Sequence, residues 1–351
     1  MEISKEEKIR AINYVKAITI ILMVASHYTS SPLNRLAPYM YHMPLFFFLG
    51  GMLFNHTKSL KEHYSKVFFK HFTYIVLTYI IVGVMALCIY RLTGAPVGVI
   101  FEDSIFSTIK KTINDGFSNN RYFLASWFLF SYMIIMLFAP FICRLLHKTS
   151  FPMIAGVILA FSIGWVGIEI TSINYHQVKN IALNYLTQCL VGGMFFILGF
   201  SIKKHLFKFI NELTFLLVII TTIILYGLGI IYVMGMSWSI YKLGFFFTTL
   251  GALLGIYCIF YISIVLAKAV SFKWLEFIGE GSKDIMAYHL VAFSLLNIAA
   301  WKLYNFDISR NDILHSFSNE WSWIPYLILG VTLPLGVTKI YNIFNALALH
   351  K

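Results

Sequence analysis

The sequence predicts an all-α integral membrane protein with about ten transmembrane helices and both termini in the cytoplasm. Four observations carry that prediction. Of 351 residues, 59% are hydrophobic and only 12% charged, against about a quarter charged in a soluble domain. The mean hydropathy is +0.77. Apolar runs of about 20 residues, the length that crosses a hydrocarbon core, recur from one end of the chain to the other. The Lys and Arg residues are also unevenly sorted between the loops on the two sides, as the positive-inside rule requires.

Taken in order, apolar runs between polar breaks give spans at 10–29, 39–56, 72–92, 122–143, 150–170, 182–201, 213–234, 243–266, 284–303 and 322–343. The first run continues too far for a cleavable signal peptide and lacks a small-residue cleavage site, so it reads as a retained helix. With the N-terminus inside, eighteen of the 27 Lys and Arg residues fall on the cytoplasmic side, including Lys58, Lys61, Arg144, Lys203, Lys204 and Lys351. Nine fall outside, including Arg35, Arg91, Arg121 and Arg310. Two long outer connections stand out: 92–120, with Glu102, Asp103 and Asp115, and 306–320, with Asp307, Asp312 and Glu320. They read as an entrance for a polar substrate or as solvated connectors. No linker or internal repeat interrupts the pattern, so residues 1–351 read as a single polytopic domain.

The net charge of +12 would raise nucleic acid as a partner in a soluble protein. Here positive-inside sorting accounts for it, so membrane lipids and not nucleic acid are expected. Cys88, Cys143, Cys189 and Cys258 lie in or at the ends of apolar segments, without metal or redox spacing, and read as small buried hydrophobes.

Chemistry concentrates in the first span. Lys16 and His27 are ionisable groups at membrane depth, where such groups are costly and mark function by default. Eleven helical steps return to within about 20° of the start, so the two share a face and stand about 16 Å apart along the axis. Lys16 falls toward the inside and His27 toward the outside. After a short turn the chain re-enters through Tyr41-His42-Met43-Pro44, which places His42 near the outer end as well. There it is a second proton-transfer candidate or a histidine that only binds a backbone carbonyl. Late in the chain, Gly279, Gly281 and Ser282 mark a turn and helix N-cap at the inner face, a reasonable anion site. His289, two turns on, reads as a channel-lining group or as a satisfied interhelical histidine. Trp127 reads as an acceptor-stacking group or as an interfacial anchor.

The run Asn13-Tyr14-Val15-Lys16 through His27, followed by Tyr41-His42-Met43-Pro44-Leu45-Phe46-Phe47-Phe48-Leu49-Gly50-Gly51, resembles the opening of the membrane-bound acyltransferase 3 family. That family has Arg or Lys, ten residues, then His in its first helix, followed by Phe-His-Met-Pro and Phe-Phe-x-x-Ser-Gly in its second. Trp127-Phe128-Leu129, Phe196-Ile197-Leu198-Gly199 and Phe277-Ile278-Gly279-Glu280-Gly281-Ser282 with Ala287-Tyr288-His289 are similar to later family segments. The chain departs from the pattern in several places. Asn13 stands at the family's acidic position, Ala17 and Gly50 replace its Gly and Ser, and Lys66 and Lys70 stand in for an Arg-x-x-Arg pair.

The resemblance implies transfer of an acyl group, usually acetyl, from cytoplasmic acyl-coenzyme A to a hydroxyl of a surface polysaccharide or lipid-linked glycan, in the cell membrane and without a metal. No fused extracytoplasmic domain is expected. His27, with His42, would be catalytic. Lys16, Lys66, Lys70, Ser282 and His289 would bind acetyl-CoA or another acyl-CoA, and Trp127 the acceptor. For Lys66 and Lys70, ordinary positive-inside charge explains the sequence equally well. The competing function class is a transporter or flippase for a glycan or polar metabolite, with Lys16 and His27 lining its path.

Overall fold

The computed structural model describes residues 3–309 and 315–349. Arg310, Asp312 and Lys351 therefore lie outside the described residues. Regular structure among the described residues is helical apart from one isolated bridge between Gly235 and Ile240. That is the outcome lipid imposes on an open chain, because a helix satisfies its own N–H and C=O groups. In order the main helices are α1 (Lys5–Ser26), α2 (His42–Met52), α3 (Leu60–Thr93), α4 (Ile105–Asn114), α5 (Ser126–His147), α6 (Pro152–Val178) and α7 (Ile181–Ile202). There follow α8 (Glu212–Gly227), α9 (Gly244–Ala269), α10 (Lys273–Glu280), α11 (Ser282–Tyr304) and α12 (Trp323–Leu349).

Seven of these, α1, α3, α5, α6, α7, α9 and α11, are long and apolar enough to cross a membrane. The other three expected spans appear as shorter apolar helices: α2, α8 and the Trp323–Gly336 stretch of α12. Two boundaries differ from the sequence reading. The third helix begins at Leu60 instead of 72, because Ser59 caps it by accepting from the Glu62 N–H and a π-turn at Phe68–Phe72 carries the polar start into the apolar run. The 92–120 connection holds the amphipathic helix α4, capped by Ser104, whose hydroxyl accepts from the Ser107 N–H at 3.0 Å.

The chain divides into two compact units. Unit one comprises 1–11, 37–76 and 127–271. At its centre α2 and α7 meet backbone to backbone. A β-carbon on Gly51 would stand 1.7 Å from the Phe196 carbonyl oxygen, so only glycine fits there. Phe47, Phe48, Phe195 and Phe196 fill the surrounding core. A polar strut crosses the unit: Ser131 donates to Gln188 Oε1 at 2.9 Å, and Gln188 Nε2 donates to the Ser237 carbonyl at 2.7 Å. Glu169 of α6 accepts the Phe245 N–H at the start of α9. The carboxylate thus meets an orphan amide where the helix dipole is positive.

Unit two comprises 12–36, 77–126 and 272–351. Here α1 is gripped by α10. A β-carbon on Gly279 would stand 2.1 Å from the Asn13 carbonyl oxygen, so the glycine permits direct backbone contact. At the other end, Tyr28 stacks on Tyr326 at 4.8 Å and Phe293 meets Tyr326 edge-on at 5.2 Å, tying α1, α11 and α12 together.

Candidate functional site

Within unit two, the end of α1 and the middle of α11 bring two histidines together. Helix α1 stops at Ser26, so His27 occupies the first position beyond it, with its N–H shared between the Met23 and Val24 carbonyls at 3.3 and 3.2 Å. The His27 and His289 ring centroids are 4.8 Å apart with the rings tilted by 60°. His27 Nδ1 lies 2.9 Å from the Met23 carbonyl oxygen. His289 Nδ1 lies 3.1 and 3.0 Å from the Ile285 and Met286 carbonyls. A carbonyl only accepts, so in each ring Nδ1 carries the hydrogen and Nε2 presents a lone pair. His289 is 1% exposed, and its Nε2 is buried without a hydrogen-bond partner among the described residues. A buried, unanswered acceptor is costly. Here it lies beside a second imidazole, and a hydroxyl or amide donor is the chemistry that would answer it.

Outward from this pair, Leu290, Phe293, Ser294 and Asn297 of α11 form one wall of a cleft whose other side includes Arg121 and His315. Phe293 of this wall lies against His289, centroids 5.9 Å apart. Asn297 organises the rim. Its Nδ2 donates to the His315 carbonyl at 3.1 Å, and its Oδ1 accepts from the Phe317 N–H at 3.2 Å and from the Tyr326 hydroxyl. Phe306 stacks on His315 at 4.8 Å, and Arg121 donates to the Pro96 carbonyl at 3.2 Å. The lining sets an aromatic pair, an amide and a guanidinium around about 30 Å3 of space, room for a water-sized group.

Toward the other end of α1, Lys16 is half-buried and donates to Asn13 Oδ1 at 3.4 Å. Glu280 at the end of α10 lies near enough to interact with it electrostatically. The same Gly279 contact that seats α10 on Asn13 therefore sets Glu280 beside Lys16, with Ser282 two residues on. Ser282 is the first residue of α11 and not its cap. The cap position is Gly281, whose carbonyl accepts the Asp284 and Ile285 N–H groups. The turn is the single residue Gly281, with Gly279 inside α10 and Ser282 opening α11.

The remaining expected residues belong to unit one. His42 is buried, and its Nδ1 donates to the Pro38 carbonyl at 2.6 Å beside Tyr39, as the His27 Nδ1 does to the Met23 carbonyl. Lys66 and Lys70 are exposed, the first in the last turn before the π-turn and the second inside it. Trp127 is half-buried at the start of α5, against Phe128. Among the described residues no three His, Cys, Asp or Glu side chains gather as a metal site.

Asn297, Tyr326 and Glu280 were missed as site residues by sequence reasoning. The signal for Asn297 was present: an amide in the middle of the apolar 284–303 run needs a partner as much as a charge does. Glu280 lies between Gly279 and Gly281, where nothing in the spacing ties its carboxylate to Lys16.

A family model described as an acyltransferase domain matches residues 9–339, nearly the whole chain. No curated protein and no solved structure matches it.

Proposed function

Because the chain belongs to the acyltransferase 3 family and is a multi-pass membrane acyltransferase, we propose that it moves an acyl group, acetyl in the first instance, from cytoplasmic acyl-coenzyme A to a hydroxyl of a surface polysaccharide or lipid-linked glycan. The observation that carries this reading is the His27–His289 pair, with the cleft residue Phe293 against His289. His27 Nε2 takes the proton from the acceptor hydroxyl as that oxygen attacks the thioester carbonyl. The carbon–sulfur bond breaks, and the thiolate leaves and is protonated to the free thiol of coenzyme A. The Met23 carbonyl holds the imidazole in the tautomer that can accept, and stabilises the imidazolium that forms.

His289 Nε2 serves as acceptor for an N–H of the donor's pantetheine arm, which answers its otherwise unmet lone pair. Lys16, held by Asn13 and balanced by Glu280, meets a polar or phosphate group of the donor, and Ser282 lies at the same end. Lys66 and Lys70 are the exposed cations that first meet its nucleotide phosphates. His42 supports a second proton path, and Trp127 supports the acceptor. Both termini lie in the cytoplasm and the membrane is the cell membrane, supported by the Lys and Arg sorting.

The test is mass spectrometry of surface glycans from cells carrying wild type or His27→Gln. Loss of one acyl mass from the glycan in the variant, with the protein still in the membrane, is the expected result. Full acylation by that variant removes His27 from the chemistry. Substrate movement in reconstituted vesicles without an acyl donor would instead support a transporter.

A further inference from the structure

Unit one carries a feature that the acyl-transfer reading does not use. Between α5 and α7, with Ile163 of α6 at its side, runs an apolar groove of about 490 Å3. Ile135, Phe138, Ala139 and Ile142 line it on α5, and Gly193 and Ile197 on α7. Its lining extends from Ile134 to Cys143 on one helix and from Tyr185 to Ile197 on the other, about 14 and 18 Å of helix. Half the hydrocarbon core of a bilayer is about 15 Å. Phe138 and Leu186 at its edges are 59% and 45% exposed, so the groove opens sideways to the surface of the helices.

One end of the groove is strongly basic. Arg144 follows the lining residue Cys143 directly, His147 is one turn beyond, and Lys203 and Lys204 leave the end of α7. The 53–59 connection adds His56, whose ring centroid lies 4.4 Å from that of His147. Arg144 donates from Nε to the His56 carbonyl at 3.0 Å and from Nη2 to the Lys58 carbonyl. Lys203 Nζ donates to the Phe54 carbonyl at 2.9 Å and stands 4.3 Å from the Phe200 ring. These bonds hold the cations in place but do not neutralise them. Glu62 and Asp115 pair with Lys58 and Lys111, and among the described residues no carboxylate pairs with Arg144, Lys203 or Lys204. Like charges gathered without a counter-charge repel one another, and an anion relieves that repulsion.

A hydrocarbon-lined slot one leaflet deep, open to the bilayer and ending in uncompensated cations, matches the two parts of one molecule. We propose that unit one binds a single anionic phospholipid, one acyl chain in the groove and the phosphodiester on Arg144, Lys203, His56 and His147. Basic sites beside membrane helices recognise anionic headgroups in this way. On the orientation proposed above, the lipid belongs to the cytoplasmic leaflet, the side on which anionic lipids concentrate. Its role is to hold the 53–59 connection against α5 and α7 at the base of α3, the helix that carries Lys66 and Lys70.

The test uses the full chain reconstituted in nanodiscs of phosphatidylcholine, with or without about a third phosphatidylglycerol, and then released into mild detergent for native mass spectrometry. Wild type is expected to keep one phosphatidylglycerol in preference to phosphatidylcholine by about tenfold or more. Two variants decide the site without touching the clamps on the loop. Gly193→Phe fills the groove, where only Ile163 Cδ1 lies near its β-position, at 3.5 Å. The pair His147→Gln and Lys204→Gln lowers the charge while leaving Arg144 and Lys203 in place. Each is expected to reduce retention about tenfold, and should Gly193→Phe fail to fold, the charge pair decides alone. Equal retention of phosphatidylcholine, or wild-type retention by the charge pair, overturns the proposal. Displacement of the lipid by free coenzyme A assigns the cluster to the acyl donor and overturns it too, as does a lipid-free dimer sealed across the groove. Because lipid retention is read without any acyl transfer, it stands or falls separately from the proposed enzyme reaction.

Discussion

His27 is the residue on which the proposed chemistry turns, and its surroundings set the size of the expected effect. Gln in its place keeps the volume and a hydrogen-bonding tip but accepts no proton at neutral pH, so the acylation rate is expected to fall about 10²- to 10⁴-fold. A time course of glycan acylation by membranes of the two proteins measures this. His289→Phe removes the buried lone pair and keeps a ring against Phe293. It is expected to weaken donor use while leaving the folded protein in the membrane. A titration of acyl-coenzyme A separates that outcome from a general loss of rate. A second histidine, His56, makes a pH prediction. Burial, then the facing His147 and the nearby Lys203, Arg144 and Lys204 hold its pKa below the ordinary value. The unfolded chain therefore binds the proton more readily, so stability rises with pH between the folded value and about 6.5. Acidification through that window is expected to lower thermal stability in phosphatidylcholine nanodiscs, and His56→Gln is expected to flatten that dependence.

Among the helices, Glu169 and Gly279 make the clearest predictions. Glu169 meets the first free amide of α9. Glu169→Leu leaves that N–H unanswered within the protein and is expected to cost about 1–2 kcal/mol, measured by denaturant unfolding against a Glu169→Gln control that keeps an acceptor oxygen. Gly279→Ala forces α10 off the Asn13 carbonyl. That is expected to cost about 1–3 kcal/mol and to lower activity with it, since the Lys16–Glu280 arrangement depends on the same contact. At this scale the sequence was most informative where a helix is long and uniformly apolar, as in α5, α7 and α9. It was less so where a polar start joins an apolar run, as at Leu60, because a cap and a π-turn are local geometries that hydropathy does not register. The pairing of His27 with His289 was out of reach for the same kind of reason. Spacing puts Lys16 and His27 on one stripe of one helix, but nothing periodic says which distant helix faces that stripe. The glycines that decide it, Gly279 above all, act through backbone contact and carry no side-chain pattern.

Across the whole molecule, the Lys and Arg asymmetry makes a topological prediction independent of any chemistry. A cysteine placed at Lys204 is expected to react with an impermeant thiol reagent only after the membrane is opened, and one placed at Ser309 in intact cells. The reverse pattern would invert the orientation and move the coenzyme A side of the reaction with it. The excess positive charge also makes the protein's behaviour sensitive to lipid composition, since much of it is gathered at the ends of α5 and α7 and along the start of α3 and not spread evenly.

The grip of Gly279 on Asn13 joins two segments that lie far apart along the chain. Because domains form as the chain emerges, N-terminal parts first, α1 must wait in the bilayer through most of synthesis before α10 and α11 arrive to close around it. The histidine pair therefore exists only once the chain has been made past His289. A chain interrupted before Lys273 would carry His27 and Lys16 but neither Glu280 nor His289, and so could not form the histidine pair.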